Sequence, residues 1–523
     1  MTVTSDPSPA AVAAAERHDG GRVALWVDRH RRESFWILTA GLILFGTLIR
    51  LRQVGHILWE DHAFRETQTA WAVREFAENG INLFISPLPV FGPEASVPME
   101  FPIFQALASL LVPLGLDAGE ASRLLGIISF QATALLLTII VARWHGRLAA
   151  VVALGLFQVT PFSLMWGGAS LMEFFATALA LAMVLGFGIW LDSRSKLALV
   201  LGSFAAILAF LVKVTTAPCW AILLLAVVYA TARQQGLRAI WRRALLGLIV
   251  GPGLGLIAGV AWSRYADAVK ATNPVAYVWK SSELTTWNFG TLDQRADPTM
   301  WSTLYYRIAD LMAGPFCVGL ILGALAVIVA RSHAQRALGA GWLAVAASGP
   351  LVFFNLYVVH EYYLAAIYPA VVVVTALGIT WLARVIARAT RRGTLTSYSL
   401  AAAAAGLIFF LTVTTSYGSL RYFDLRYLNL MPEQATVIAE NTEEDDLVVM
   451  IGCGMDPSFL FLADRRGMQI AQPEEVDPVW EYQDIDDYSF LYRCNDDLRT
   501  SNYLPEGYAA TRVEGELFAI ERE

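Results

Sequence analysis

Apolar runs of about 20 residues, each long enough to cross a bilayer as a helix, recur along this chain between polar connections. They fall at 35–51, 121–142, 148–166, 172–191, 197–213, 217–232, 244–263, 308–330, 339–358, 362–383 and 398–417. Two connections are long, 52–120 and 264–307. In the first, Phe64 to Phe76 has helical spacing and reads as an amphipathic helix on the membrane surface. Pro87, Pro89, Gly92, Pro93 and Pro98 then break the chain before a second short helix at 101–112. From about 430 the pattern changes. The segments 432–441 and 457–463 read as helices, and 447–452, 468–471, 488–493 and 516–521 read as short strands. That alternation is the mark of a small α/β domain. The expected fold is a polytopic α-helical membrane protein of about 11 transmembrane helices. It divides into a tail at 1–34, a transmembrane domain at 35–420 and a C-terminal α/β domain at 421–523.

Lysine and arginine concentrate in cytoplasmic loops, and their placement orients the chain. With the N-terminus inside, the inside connections are basic: Arg143 and Arg147, Arg194 and Lys196, Arg233 to Arg243, Arg331 and Arg336, Arg384 to Arg392. The short outside connections 167–171, 214–216 and 359–361 hold neither lysine nor arginine. An odd number of spans keeps this alternation. It places both long loops and the C-terminal domain outside a cell inner or plasma membrane, opposite a disordered cytoplasmic tail. The first apolar run starts too late and is too long to be a cleavable signal. Composition agrees: 56% of residues are hydrophobic and 16% charged, against about 25% charged in a soluble domain. No basic patch with interleaved aromatics is present, which argues against a nucleic-acid partner. Cys219 and Cys317 lie in or near spans, whereas Cys453 and Cys494 share the outer domain, where disulfides form, and are expected to pair. Gly452 and Gly454 follow a strand but lack the rest of a dinucleotide fingerprint.

Ionisable side chains at membrane depth are costly and face a cavity or a partner. Here they gather at the outer ends of the spans. Trp59 to Ala70, WEDHAFRETQTA, carries Glu60, Asp61, His62, Arg65, Glu66 and Gln68. Glu100 lies in the same loop, Arg123 and Glu173 open the second and fourth spans, and Lys213 ends the fifth. His360, Glu361, Tyr362 and Tyr363 form the turn between the ninth and tenth. Each has a plainer reading. Arg65 and Glu66 suit a solvated surface helix, Glu100 a local pair, Glu173 a helix N-terminus and Lys213 a snorkelling chain. His360 suits a satisfied loop histidine, and Tyr362 and Tyr363 an interfacial aromatic belt. Tyr277, Trp279, Trp287 and Trp301 of the second loop suit either that belt or a groove for sugar rings. Gathering at one face favours a shared, water-accessible cavity.

Such a cavity suits glycosyl transfer from a lipid-phosphate donor. A carboxylate, Asp61 with Glu60 beside it, takes the proton of the acceptor hydroxyl. Arg65, Arg123, Lys213 and His360 are candidates to neutralise the departing phosphate. Gln68, Glu100, Glu173, Tyr362 and Tyr363 are candidates for contacting acceptor or sugar. Asp61 and Glu173 are also candidate ligands for a divalent cation, Mg or Mn.

Several stretches, in order over roughly 35–420, resemble the membrane glycosyltransferases of the C-type fold, in particular the protein mannosyltransferase and aminoarabinose transferase-like group. They are Glu60-Asp61 with FRETQTAWAVREF, MEFPIFQALASLLVPLG with ASRLLG, SLMEFFATALALA, FLVKVTTAP and HEYYLAAIYP. The resemblance implies a polyprenyl-phosphate-sugar donor, an extracytoplasmic site and an inverting displacement with Asp61 as base. Many relatives carry Asp followed by Glu, whereas here Glu60 precedes Asp61 and His62 follows, which leaves open which carboxylate is the base. Metal dependence varies in the group and does not carry over. The expected function is transfer of a sugar to a lipid, glycan or protein acceptor. The rivals are a transporter or flippase of lipid-linked sugars, for which the usual mid-span polar residues and internal repeats are not clear here, and a scaffold whose acidic outer domain binds another protein.

Overall fold

A computed structural model of the chain describes residues 31–59, 62–390, 394–415 and 430–523. Most of the expected N-terminal tail, and both Glu60 and Asp61, lie outside the described residues.

All the expected apolar segments are helical, but not all as full spans. Among the described residues seven helices are long and apolar enough to cross a membrane: Arg32–Leu51, Ala118–Trp144, Glu173–Ser193, Ala217–Gln235, Leu237–Lys270, Tyr368–Ala389 and Thr396–Thr415. Pro298–Ala313 and Pro315–Ile328, bent by 80°, make an eighth if taken as one. Arg147–Val159 and Lys196–Val212 are shorter. The first of these stops at Thr160 because Pro161 cannot donate a helical hydrogen bond and instead opens a new helix, Pro161–Trp166. Local chemistry sets other boundaries. Asp117 and Glu120 form a reciprocal capping box at the head of Ala118–Trp144, and Ser195 accepts from the Ala198 amide at the head of Lys196–Val212.

The bundle core is aromatic, with Phe130 stacked on Phe157 at 4.5 Å and Phe157 on Tyr368 at 4.9 Å. Val318–Ile328 and Tyr368–Ala389 touch backbone to backbone. A Cβ on Gly378 would lie 2.5 Å from the Gly323 nitrogen, so only small residues permit the crossing.

The C-terminal domain is a five-stranded sheet of order β2-β1-β3-β5-β4. The strands are β1 (Leu447–Ile451), β2 (Arg466–Ile470), β3 (Tyr488–Arg493), β4 (Tyr508–Glu514) and β5 (Leu517–Arg522). β1 runs parallel to β2 and β3, and β5 antiparallel to β3 and β4. A Cys453–Cys494 disulfide joins the loop after β1 to the end of β3.

The free edge of β2 is covered by the long connection after the first apolar helix. The Gly467 amide donates to the Pro89 carbonyl (2.8 Å), the Gln469 amide to Val90 (3.0 Å), and the Gly92 amide to Gly467 (3.0 Å). The domain also packs on the helix Ala63–Asn79. Trp71 meets Phe461 at 5.6 Å, Arg466 pairs with Glu75 at 2.8 Å, and Arg74 pairs with Asp464. That helix therefore differs from the bare surface helix its spacing predicts. Glu66, Thr67, Ala70, Trp71, Val73 and Phe76 are all buried, because sheet domain and bundle enclose it from two sides.

Candidate active site

Glu173–Ser193 and Lys196–Val212 form a helical hairpin about the turn at Arg194 and Ser195. Glu173 is the first residue of one helix and Lys213 the first beyond the other, each about five turns from the turn, so they arrive level. The acid sits at a positive helix end and the cation at a negative one, the favoured placement for both. Their side chains form an ion pair that is 3% and 4% exposed.

Glu100 joins because the Phe101 amide donates to the Leu211 carbonyl at 3.1 Å, which ties its loop to the end of the same helix. Glu100 Oε1 lies 3.4 Å from Lys213 Nζ and 2.7 Å from Arg65 Nη2. Arg65 Nη1 donates to Gln68 Oε1 at 2.5 Å, three residues along the same helix face. The turn at His360 is held in place by Arg307, which donates to the carbonyls of Tyr357 (2.9 Å) and Val358 (2.7 Å). Trp220 donates to Ala366 at 3.0 Å. Lys213 Nζ stands 4.6 Å from the centre of the Tyr363 ring, within cation–π range. Tyr362 stacks on Tyr363 at 4.6 Å and on His360 at 5.3 Å. Sequence-remote candidates thus form one contiguous network. His62 extends it, 4.9 Å from Tyr362 and 5.4 Å from His360, and Trp287 reaches His360 at 5.7 Å.

Arg123 enters a different contact. It is 1% exposed and its Nη2 donates to Glu66 Oε2 at 3.1 Å, while Glu66 Oε1 accepts from the Ser170 amide at 3.0 Å. This arrangement ties the second span to the Ala63–Asn79 helix and to the WGGAS turn. Glu66 was a surface residue by local pattern. A partner 57 positions away leaves no local signature.

Burial pushes the Glu100 carboxyl up, but Arg65 and Lys213 outweigh it and hold it at about 2. Burial lowers the Arg65 guanidinium, and Glu100 more than restores it, raising it above its ordinary value. Burial, with His62 and Arg65 close by, pulls His360 down to about 3. At neutral pH that favours the uncharged imidazole, through which His360 would meet a phosphate by hydrogen bonding. A divalent cation fits the described residues poorly. Glu173 is already engaged by Lys213, whose charge repels a metal, and among the described residues no three His, Cys, Asp or Glu side chains converge.

No protein-family model matches the sequence, and no curated protein matches it. Solved structures do match. ArnT from Cupriavidus metallidurans bound to undecaprenyl phosphate aligns over 94% of this chain and 98% of that one, with a TM-score of 0.57 and 14% identity. The oligosaccharyltransferase AglB from Archaeoglobus fulgidus, in complex with an inhibitory peptide and a dolichol-phosphate, aligns over 90% of this chain and 70% of that one, with a TM-score of 0.55 and 13% identity. At such identity the likeness is one of fold: the chain is a multi-pass helical membrane protein with the C-type glycosyltransferase fold of these two structures, completed by a small C-terminal sheet domain.

Proposed function

We propose that the protein is a membrane glycosyltransferase that takes a sugar from a polyprenyl-phosphate donor and passes it, with inversion, to an acceptor outside the cytoplasm. The observation that carries this reading is the ion network of half-buried Arg65 and Glu100 with buried Lys213 and Glu173, from four separate segments, beside the ring stack of His360, Tyr362 and Tyr363. The fold supports it, since the ArnT and AglB structures hold undecaprenyl phosphate and a dolichol-phosphate, lipid phosphates of the proposed donor class.

In the proposed reaction the acceptor oxygen attacks the anomeric carbon from the face opposite the phosphate. The new glycosidic bond forms as the carbon–phosphate oxygen bond breaks. The acceptor's proton passes to Asp61 or to the adjacent Glu60, and the lipid phosphate leaves with a second negative charge. Lys213 commits two of its three N–H donors to Glu173 and Glu100, which leaves one for that phosphate. Arg65 Nε is buried with no hydrogen-bond partner among the described residues and is a second donor. Both cations are held by carboxylates before the donor arrives, so no reorganisation is needed as charge develops. Glu173 keeps one carboxylate oxygen, Oε2, unpartnered among the described residues and available to orient the acceptor hydroxyl.

The direct test incubates purified protein with radiolabelled polyprenyl-phosphate sugars and a membrane extract. Label should move from the lipid to an acceptor. Asp61→Asn should lower the rate about 10²–10⁴-fold, the usual contribution of a positioned base, while donor binding persists. Full rates in both Asp61→Asn and Glu60→Gln would refute a carboxylate base at this position.

A further inference from the structure

We infer that Arg50 is a positioning residue for the transfer reaction: it clamps the chain break at Pro161 and so sets Trp166 against the segment that carries the candidate base. The inference rests on the transferase reading above. Arg50 lies in the last turn of the helix Arg31–Leu51 and is fully buried. A charge at membrane depth is costly unless it is paired, yet among the described residues no carboxylate pairs with this one. Its Nη1 donates to the Gly46 carbonyl (2.8 Å) and its Nη2 to those of Gln158 (3.0 Å) and Ser163 (2.8 Å), while its guanidinium lies 3.9 Å from the centre of the Phe130 ring. The cost is offset by what the two remote carbonyls need.

Gln158 and Ser163 flank Pro161. Proline has no N–H for the Phe157 carbonyl, and Thr160 is extended, so the Phe162 amide turns away from Gln158. Tyr368 supplies one missing donor, to Phe157 at 2.9 Å, and Arg50 supplies the other. One guanidinium thus holds a carbonyl on each side of the break. Gln53, three residues along, donates to the Leu164 carbonyl at 3.1 Å. The glycines of WGGAS make room for both side chains: a Cβ on Gly167 would overlap Arg50 Nε, and one on Gly168 would overlap Gln53 Oε1. The segment so held ends in Trp166, whose ring meets His62 at 5.2 Å and Tyr362 at 6.0 Å. His62 directly follows Glu60 and Asp61. A continuous helix would need neither the cation nor the glycines, and would carry Trp166 on along the axis of Arg147–Val159 instead of across to His62.

The test uses the full-length protein in nanodiscs and follows radiolabel from polyprenyl phosphate bearing a hexose, a pentose or an amino sugar into a membrane extract. Arg50→Met and Trp166→Ala should each lower kcat about 10²-fold, the cost of misplacing a reacting group by about 1 Å. The KM for the donor lipid should stay unchanged, since Arg65 and Lys213 keep their partners. Combined, the two substitutions should still lose about 10²-fold and not the ~10⁴-fold of independent effects, because both break one path. Arg50→Lys keeps the charge but, as a point donor, cannot hold both carbonyls; it should lose about tenfold and serves if the methionine variant does not fold. Full kcat in Arg50→Lys, losses that multiply in the double variant, or a raised KM with kcat unchanged would overturn the assignment alone. No transfer by the unaltered protein from any of the three lipids would overturn the transferase reading and the assignment with it.

Discussion

Lys213 stands between two carboxylates that are 40 and 113 positions away in the chain. Removing one member of a buried pair leaves the other charged and unpaired, at a cost of about 3–5 kcal/mol. Lys213→Met should therefore lower the unfolding temperature in detergent, and adding Glu173→Gln should restore most of the loss, while transfer stays absent in both. If the double variant unfolds no later than the single one, the pair is not the structural unit described above. Glu100 makes a second prediction. Its folded value of about 2 lies below its ordinary 4.5, so its ionised form stabilises the fold fully above about pH 4.5 and loses that effect as pH falls through 2. Unfolding temperatures of the unaltered protein and Glu100→Gln should be well separated at pH 7 and converge toward pH 3. His360, held at about 3, stays neutral from pH 5 to 8. His360→Gln should lower the rate without changing the shape of the pH profile in that range. The residue types at the span ends were legible in the sequence, because charge at membrane depth is conspicuous. Their pairing was not, since Arg65 meets Glu100 only through the path of a loop.

Among the elements, the helices and the buried strands carried the clearest patterns. LVVMI and YSFLYR form β1 and β3 where apolar runs predict them. β4, YAATRVE, has no buried face and pairs only with β5, so it presents neither an apolar run nor a clean alternation. The helix Val476–Tyr482 escaped for a similar reason: it is short, acidic and carries a proline. Ala63–Asn79 was visible as a helix, but its burial depends on a domain far along the chain, as its Thr67–Ser458 contact shows with a separation of 391. Gly467 is the point where β1, β2 and the loop at Pro89 to Gly92 crowd together. A Cβ there would lie 1.9 Å from the Val448 carbonyl oxygen. Gly467→Ala should destabilise the sheet domain by about 2–3 kcal/mol, read as faster proteolytic release of the C-terminal domain. Release at the unaltered rate would mean that the strands relax around the methyl.

At the scale of the whole molecule, the sheet domain and bundle share the Ala63–Asn79 helix, and the candidate site lies along that helix, one end of the bundle and the turn at His360. A metal has no described set of ligands in this arrangement. Asp61, one of its two candidate ligands, lies outside the described residues, and EDTA tests the cation directly: loss of transfer that Mg or Mn restores would place it at Asp61 and Glu173, and unchanged transfer would rule it out. The chain by itself determined that it is a membrane protein, which ends of its helices carry charge, and that a small α/β domain follows the bundle. Those properties follow from composition and from periodicity within windows of about 20 residues. Only the tertiary structure decided how many apolar segments are full-length helices, because Pro161 and the 80° bend between Pro298–Ala313 and Pro315–Ile328 divide runs that look continuous in hydropathy. It alone also decided which charges neutralise one another. Ion pairs and cavities arise between segments far apart in the chain, and no local pattern records the side chain that will stand opposite.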